Sequence, residues 1–166
     1  MTLDPENLKA AMRAWSAGVT VVTAALENHR HGMTVNSFTS ISLDPAMITI
    51  CLRSDSRTHD LIIRSGAFGL TILSAGQTGI SDIFAGRIPK VEDRFAGLKT
   101  ETLLTGAPLI VGGLAWLDCR VAETFTAGSS TLFIAEVLAA QSTGDGQPLI
   151  YHNRVYWQLS QLSGND

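Results

Sequence analysis

Cysteine is nearly absent. Cys51 and Cys119 are the only two among 166 residues, and they lie far apart without a CxxC pair, which points to neither a zinc site nor a disulfide scaffold. Both have apolar neighbours and read as buried, inert thiols. Charge is also scarce: 16% of residues are charged, and 12 basic against 15 acidic ones leave a net charge of −3. That sign argues against non-specific nucleic-acid binding, while the scarcity implies that some apolar surface is covered by a partner subunit. No long hydrophobic run is present. The longest, Gly106 to Leu117, is interrupted by Pro108 and three glycines and falls short of the roughly 20 residues a membrane span needs. Met1 to Glu6 carry neither a basic nor an apolar signal region, so a cytoplasmic protein without membrane attachment is expected. The common catalytic signatures are missing too: no GxSxG, no Walker loop, no HExxH, and no GxGxxG after a strand.

What remains is a chain 45% apolar, enough for one packed domain over residues 1–166 with its core in about 5–159. Surface scaling gives about 8,000 Å² exposed when folded against roughly 26,000 Å² unfolded, so about 69% is buried without staples. Asp4 followed by Pro5, with Leu8, Ala11, Met12 and Trp15 at helical spacing, predicts a helix over 5–16. β-branched residues from Gly18 to Ala24 predict a strand, with a polar turn at Glu27–Arg30 and a second strand from His31 to Ser40. A third strand, 46–52, is followed by a capped helix over about 58–65, a strand over 67–73 and helical spacing over 77–85. Residues 86–105 read as an exposed loop, which at that length is usually functional. Strands are predicted over about 108–126 and 130–141, then a hairpin, 149–151 to 155–157, turning at Asn153-Arg154. Many sequence-adjacent strands with few helices indicate a mainly antiparallel sheet closed into a barrel.

Two stretches carry candidate chemistry. Gly32 to Ser40 alternates Met33, Val35 and Ser37 on one strand face with Thr34, Asn36 and Phe38 on the other. It could hydrogen-bond the edge of a flat heterocycle, or be a half-exposed strand with its polar face in water. Arg53-Ser54-Asp55-Ser56-Arg57-Thr58-His59 places hydroxyls and two guanidinium groups at a strand end and a helix start. That suits a phosphate dianion, or simply a solvated, capped helix start. Together the two suit a molecule with a flat polar ring at one end and a phosphate at the other. His29 and His31 could pair on a metal, but a polar turn without a nearby carboxylate pair favours solvated turn residues, and no metal site is expected.

Gly18-Val19-Thr20-Val21-Val22-Thr23 and the block His31-Gly32-Met33-Thr34-Val35-Asn36-Ser37-Phe38-Thr39-Ser40-Ile41-Ser42-Leu43-Asp44-Pro45 closely resemble the flavin reductase-like family. Weaker matches follow in the right order: Phe84-Ala85-Gly86, Arg94-Phe95, Gly106-Ala107-Pro108, Thr131 to Val137 and Pro148 to Tyr151. The resemblance implies an FMN-binding split β-barrel that dimerises with the flavin near the interface. It further implies NADH- or NADPH-dependent reduction of FMN or FAD, with hydride passing between the cofactors and no side chain required as general acid or base. Reduced flavin would serve a monooxygenase component. Met33, Thr34, Val35, Asn36 and Ser37 would face the isoalloxazine, with Ser40 nearby. Cys51, Leu52, Arg53, Ser54, Ser56, Arg57 and Thr58 would hold the ribityl chain and phosphate. One departure stands out. Many relatives carry Gly-Asp-His where this chain has Gly128-Ser129-Ser130, and that His is associated with the nicotinamide side. Either the Ser129 and Ser130 hydroxyls and Tyr156 position the nicotinamide here, or NAD(P)H is not the donor. A non-catalytic flavin carrier and a flavoprotein reductase acting on another organic substrate are the other functions compatible with the barrel.

Overall fold

The computed structural model describes residues 3–161; Met1, Thr2 and 162–166, part of the 1–166 range expected as one domain, lie outside the described residues. Helix α1 spans Pro5–Met12, capped by the Asp4 carboxylate, which accepts from the Glu6 N–H at 3.0 Å. It is a turn shorter than the spacing predicts because none of its residues is buried, and a short helix without tertiary packing gains little by extending.

The strands are β1 (Ala17–Gly18), β2 (Thr20–Leu26), β3 (His29–Val35), β4 (Thr39–Leu43), β5 (Ala46–Arg53) and β6 (Ala67–Ile72), with helix α2 (Arg57–Ser65) between β5 and β6. A 3₁₀ turn, Ala75–Gln77, leads into α3 (Thr78–Phe84), and then come β7 (Thr100–Glu101), β8 (Leu109–Ile110), β9 (Ala115–Ala127), β10 (Ser130–Ser142), β11 (Ile150–His152) and β12 (Val155–Trp157). The main sheet has seven strands in the order β3-β2-β6-β9-β10-β5-β4, every pairing antiparallel.

The predicted strand over 31–40 is broken, and the break shapes the sheet. Laid flat, seven strands would hold edges β3 and β4 about 29 Å apart. Residues 36–38 join those edges directly and reach only about 14 Å, so the sheet curls into a barrel split between β3 and β4. Ser37 replaces a ladder rung at the crossing: its hydroxyl donates to the Cys51 carbonyl at 2.8 Å and accepts from the Cys51 N–H at 3.0 Å.

The strand expected over 108–126 is also divided. At Gly113 a Cβ would fall 2.4 Å from Thr71 Cγ2 and 2.9 Å from the Ile72 carbonyl, and Gly112 adopts φ +89. Only glycine lets the chain pass that close. The turn expected at Glu27–Arg30 is tighter, since His29 already pairs with Leu26. The hairpin β11–β12 turns at Asn153-Arg154 as expected, both at positive φ, 47 and 65.

The core inside the curl is built from Val22, Ile50, Leu52, Phe68, Leu70, Phe133 and neighbours, closed on one side by Leu61 and Ile62 of α2. A second cluster under α3 gathers Val19, Val21, Leu73, Phe84, Phe95 and Leu149. Cys119 is fully buried, and burial with the adjacent Asp118 charge pushes its thiol up to about 12. Cys51 is only half-buried, a correction to the expectation that both thiols are interior. No described helix is long and apolar enough to cross a membrane.

Candidate functional site

Between β3, the start of α2, α3 and the β11–β12 hairpin lies a cavity of about 610 Å³, within the range of small-molecule sites. Strand β3 supplies Met33 and Thr34, and Asn36 follows at the crossing. The Thr34 hydroxyl donates to the Ser81 carbonyl at 2.6 Å, fixing the strand against α3. From α2 come Ser56, Arg57 and Thr58; Ser56 caps the helix, accepting from the His59 N–H at 3.3 Å.

The opposite wall is aromatic and polar at once. Tyr156 donates to Ser81 Oγ at 2.9 Å or Asp82 Oδ1 at 2.7 Å, and burial raises its pKa. Arg87 donates to Asp82 at 2.9 Å, to the Tyr156 hydroxyl at 3.1 Å and to the Tyr151 hydroxyl at 2.8 Å. Its guanidinium carbon lies 5.2 Å and 5.5 Å from the centroids of Tyr151 and Tyr156.

Arg94 closes the remaining side. Its Nη1 donates to the Gly32 carbonyl at 2.8 Å and the Phe84 carbonyl at 2.9 Å, anchored by Phe95, which is buried edge-on against Phe84. The lining therefore contains three arginines, Arg57, Arg87 and Arg94, and no carboxylate. Among the described residues neither Arg57 nor Arg94 forms an ion pair. Burial, and after it the charge of Arg57, lowers the pKa of Arg94.

His31 corrects the expectation of a solvated turn residue. It lies on β3, half-buried in this cavity, with Nδ1 2.8 Å from Thr58 Oγ1. Burial, with Arg94 and Arg57 nearby, lowers its pKa from 6.5 to about 4, so the ring is neutral at pH 7.

Of the residues expected to hold the ligand, the structure brings Met33, Thr34, Asn36, Ser56, Arg57, Thr58 and Tyr156 together. Val35 and Leu52 alternate into the core instead. Ser37 and Cys51 are spent on each other, and Ser40 is exposed on β4, opposite Ile48. Arg53 turns outward to Asp55. Ser54 borders a second, outer hollow of about 540 Å³, which meets the first at His31, Ser56 and Arg57. Gly128-Ser129-Ser130 form the tip of the β9–β10 hairpin, where the Ser129 carbonyl accepts from the Ser54 N–H at 3.0 Å; they do not reach this chain's cavity.

The residues that sequence reasoning missed are Val19, His31, Ser81, Phe84, Ala85, Arg87, Arg94 and Tyr151. The stretch expected as a loop over 86–105 is exposed along most of its length but is not all loop, since β7 within it pairs with β8, and it carries Arg87 and Arg94 to the cavity. A signal was present for all of the missed residues but Ser81 and Arg87, because Val19, His31, Phe84, Ala85, Arg94 and Tyr151 each stand in a stretch that resembles the family.

Fold and cavity together define a split-barrel protein with a cation-rich, partly aromatic cavity. Residues 12–160 match the sequence profile described as "Flavin reductase like domain". The chain is 37% identical over 142 residues to a Rhizobium meliloti (strain 1021) protein described as "Probable flavin reductase", an overlap of 85% of this chain but only 45% of that one, so it spans just under half of that relative. It is 36% identical over 152 residues to the NADH-dependent flavin reductase StyB of Pseudomonas fluorescens, covering 90% of this chain and 86% of StyB. The styrene monooxygenase flavin reductase SMOB of Pseudomonas putida S12 superposes with a TM-score of 0.84 at 33% identity, over 94% of this chain and 99% of SMOB. This chain belongs to the flavin reductase-like family.

Proposed function

We propose that the chain is an NAD(P)H:flavin oxidoreductase that reduces FMN, or FAD, and passes the reduced flavin to a monooxygenase component. The observation that carries this reading is the pair of uncompensated guanidinium groups, Arg57 and Arg94, beside the Ser56 and Thr58 hydroxyls at the first turn of α2. A phosphate dianion supplies the counter-charge that this cluster lacks. Met33, Phe84 and the tyrosine wall offer apolar faces for a tricyclic ring, while Thr34 and Asn36 offer polar groups for its edge. The residues present thus fit a flavin mononucleotide. When bound, the flavin supplies the ring nitrogen that accepts hydride from a dihydronicotinamide. The protein's part is to hold the phosphate and align the ring.

Within this reading the chain is one flavin reductase-like domain over 1–166, working in the cytoplasm as a homodimer. Its two free cysteines suit a reducing compartment. The chain exposes 10227 Å², against about 8,000 Å² for a compact monomer of this mass. Part of the excess is apolar, including Leu8, Met12, Trp15, Leu43 and Phe125, and a second copy would cover it.

Titrating FMN into the protein should quench flavin fluorescence, and adding NADH or NADPH without oxygen should bleach the flavin's visible absorbance. Quenching without bleaching would favour the carrier alternative, and bleaching only with a second organic substrate the other. Arg57→Ala should weaken FMN binding about tenfold, the loss of roughly 1.4 kcal/mol, with kcat at saturating flavin unchanged. An unaltered dissociation constant would remove Arg57 from the phosphate site.

A further inference from the structure

His31 stands where the two hollows meet. Its Nδ1 is held by Thr58, itself fully buried, while Nε2 has no hydrogen-bond partner among the described residues. Arg57 approaches from α2, and Arg94 reaches the carbonyl of the next residue, Gly32, from the loop after α3. The ring is thus pressed by two cations that no carboxylate answers.

The remaining charged groups around it are largely compensated. Across the outer hollow the β2–β3 hairpin presents Glu27, His29 and Arg30, and Arg30 pairs with Asp93. The turn before α2 and the helix itself present Asp55, Asp60 and Arg64; Arg53 engages Asp55, and Arg64 engages Asp60. On the α3 side Arg87 is paired with Asp82. Glu27, at the hairpin end of the outer hollow, has no ion pair among the described residues. The charges that act on His31 are nonetheless those of Arg94 and Arg57, and an anion placed between them would offset their repulsion.

We propose that His31 takes up a proton from solvent as the flavin phosphate settles between Arg57 and Arg94, meeting the anion with a third positive charge that the ligand-free protein does not carry. A permanent cation at this position would add to the burial and repulsion that already lower Arg94, whereas a histidine gains its charge only when the counter-charge arrives. The inference rests on the flavin reading above and adds to it a proton-linked binding residue. The sign follows from linkage: the bound state holds more protons than the free state, so His31 strengthens binding as pH falls.

Protonation of the phosphate itself, near pH 6, opposes this trend, so the wild-type protein is compared with His31→Gln, where the phosphate titrates alike. The ratio of wild-type to variant FMN affinity should rise about fivefold between pH 8 and pH 6, while the same ratio for riboflavin, which lacks the phosphate, should stay flat. A constant FMN ratio overturns the proposal while leaving the flavin site intact; absence of FMN binding at every pH overturns both. In the unmutated protein, the His31 imidazole nitrogen resonances, assigned from the backbone, should show the ring protonating at higher pH with FMN than without. An unshifted titration overturns the proposal whether or not the variant folds.

Discussion

Arg94→Ala is expected to weaken FMN binding about a hundredfold, equivalent to roughly 2.7 kcal/mol, and to lower the folding stability of the ligand-free protein as well. Arg57 can be removed without disturbing the fold, because among the described residues its side chain makes no hydrogen bond or ion pair. Arg94 performs two tasks. One nitrogen of its fork bridges the carbonyls of Gly32 and Phe84, so it ties β3 to the end of α3 while its charge lines the cavity. The alanine variant removes both of these bonds, at about 1–2 kcal/mol in total after allowing for water entry. Arg94→Lys separates the tasks: it restores the charge but not the planar fork, so it should recover part of the affinity and little of the stability. Calorimetric FMN titration and urea unfolding of the three proteins test this. Equal flavin affinity in Arg94→Ala and wild type would show that the cation takes no part in binding.

Asp118→Ala should be the most damaging change to the fold, costing about 4 kcal/mol and lowering the melting temperature by about 12 °C. The carboxylate is fully buried on β9, with no described cation in reach of it. Its stability comes instead from hydrogen bonds. Oδ2 accepts from the Leu104 N–H at 2.6 Å and the Thr105 N–H at 2.8 Å, and Oδ1 accepts from the Thr105 hydroxyl. These bonds hold the turn that leads through Ala107 to Leu109 and Ile110, all three buried. Asp118→Asn keeps the shape but turns its amide NH2, itself a donor, toward one of those donors, so about half of the loss should remain. Thermal melts measure this directly. A shift of less than about 3 °C would mean that the turn is held by its apolar residues alone.

Much of this architecture can be read from residue order. The Asp4-Pro5 cap, the β-branched runs and the Asn153-Arg154 turn are local signals, and each forms where its own chemistry places it. What escapes is non-local. Nothing near Asn36 announces that the chain leaves one sheet edge for the other, because the reason is the curl of seven strands and the Ser37–Cys51 bonds that accept it. Strand alternation sends Val35 inward between Thr34 and Asn36, although the motif runs through all three. His31 looks like a turn residue until the hairpin closes two residues earlier and α2 packs against it. Arg94 sits in a polar loop whose direction is set by Phe95 entering the cluster under α3. Sequence reasoning therefore finds the strand and helix that face the ligand, and it misses the groups that a loop brings back from sixty residues away.

Helix α1 lies on the surface of its own chain with none of its residues buried. Eight residues are too few to stay helical unaided in water, so its order depends on whatever rests against Leu8 and Met12. Lys9 within the helix and Arg13 at its end are trypsin cleavage points. If the proposed homodimer covers this helix, clipping there becomes a clock for assembly: rapid in dilute protein, slowing as concentration rises, and read from a single gel lane.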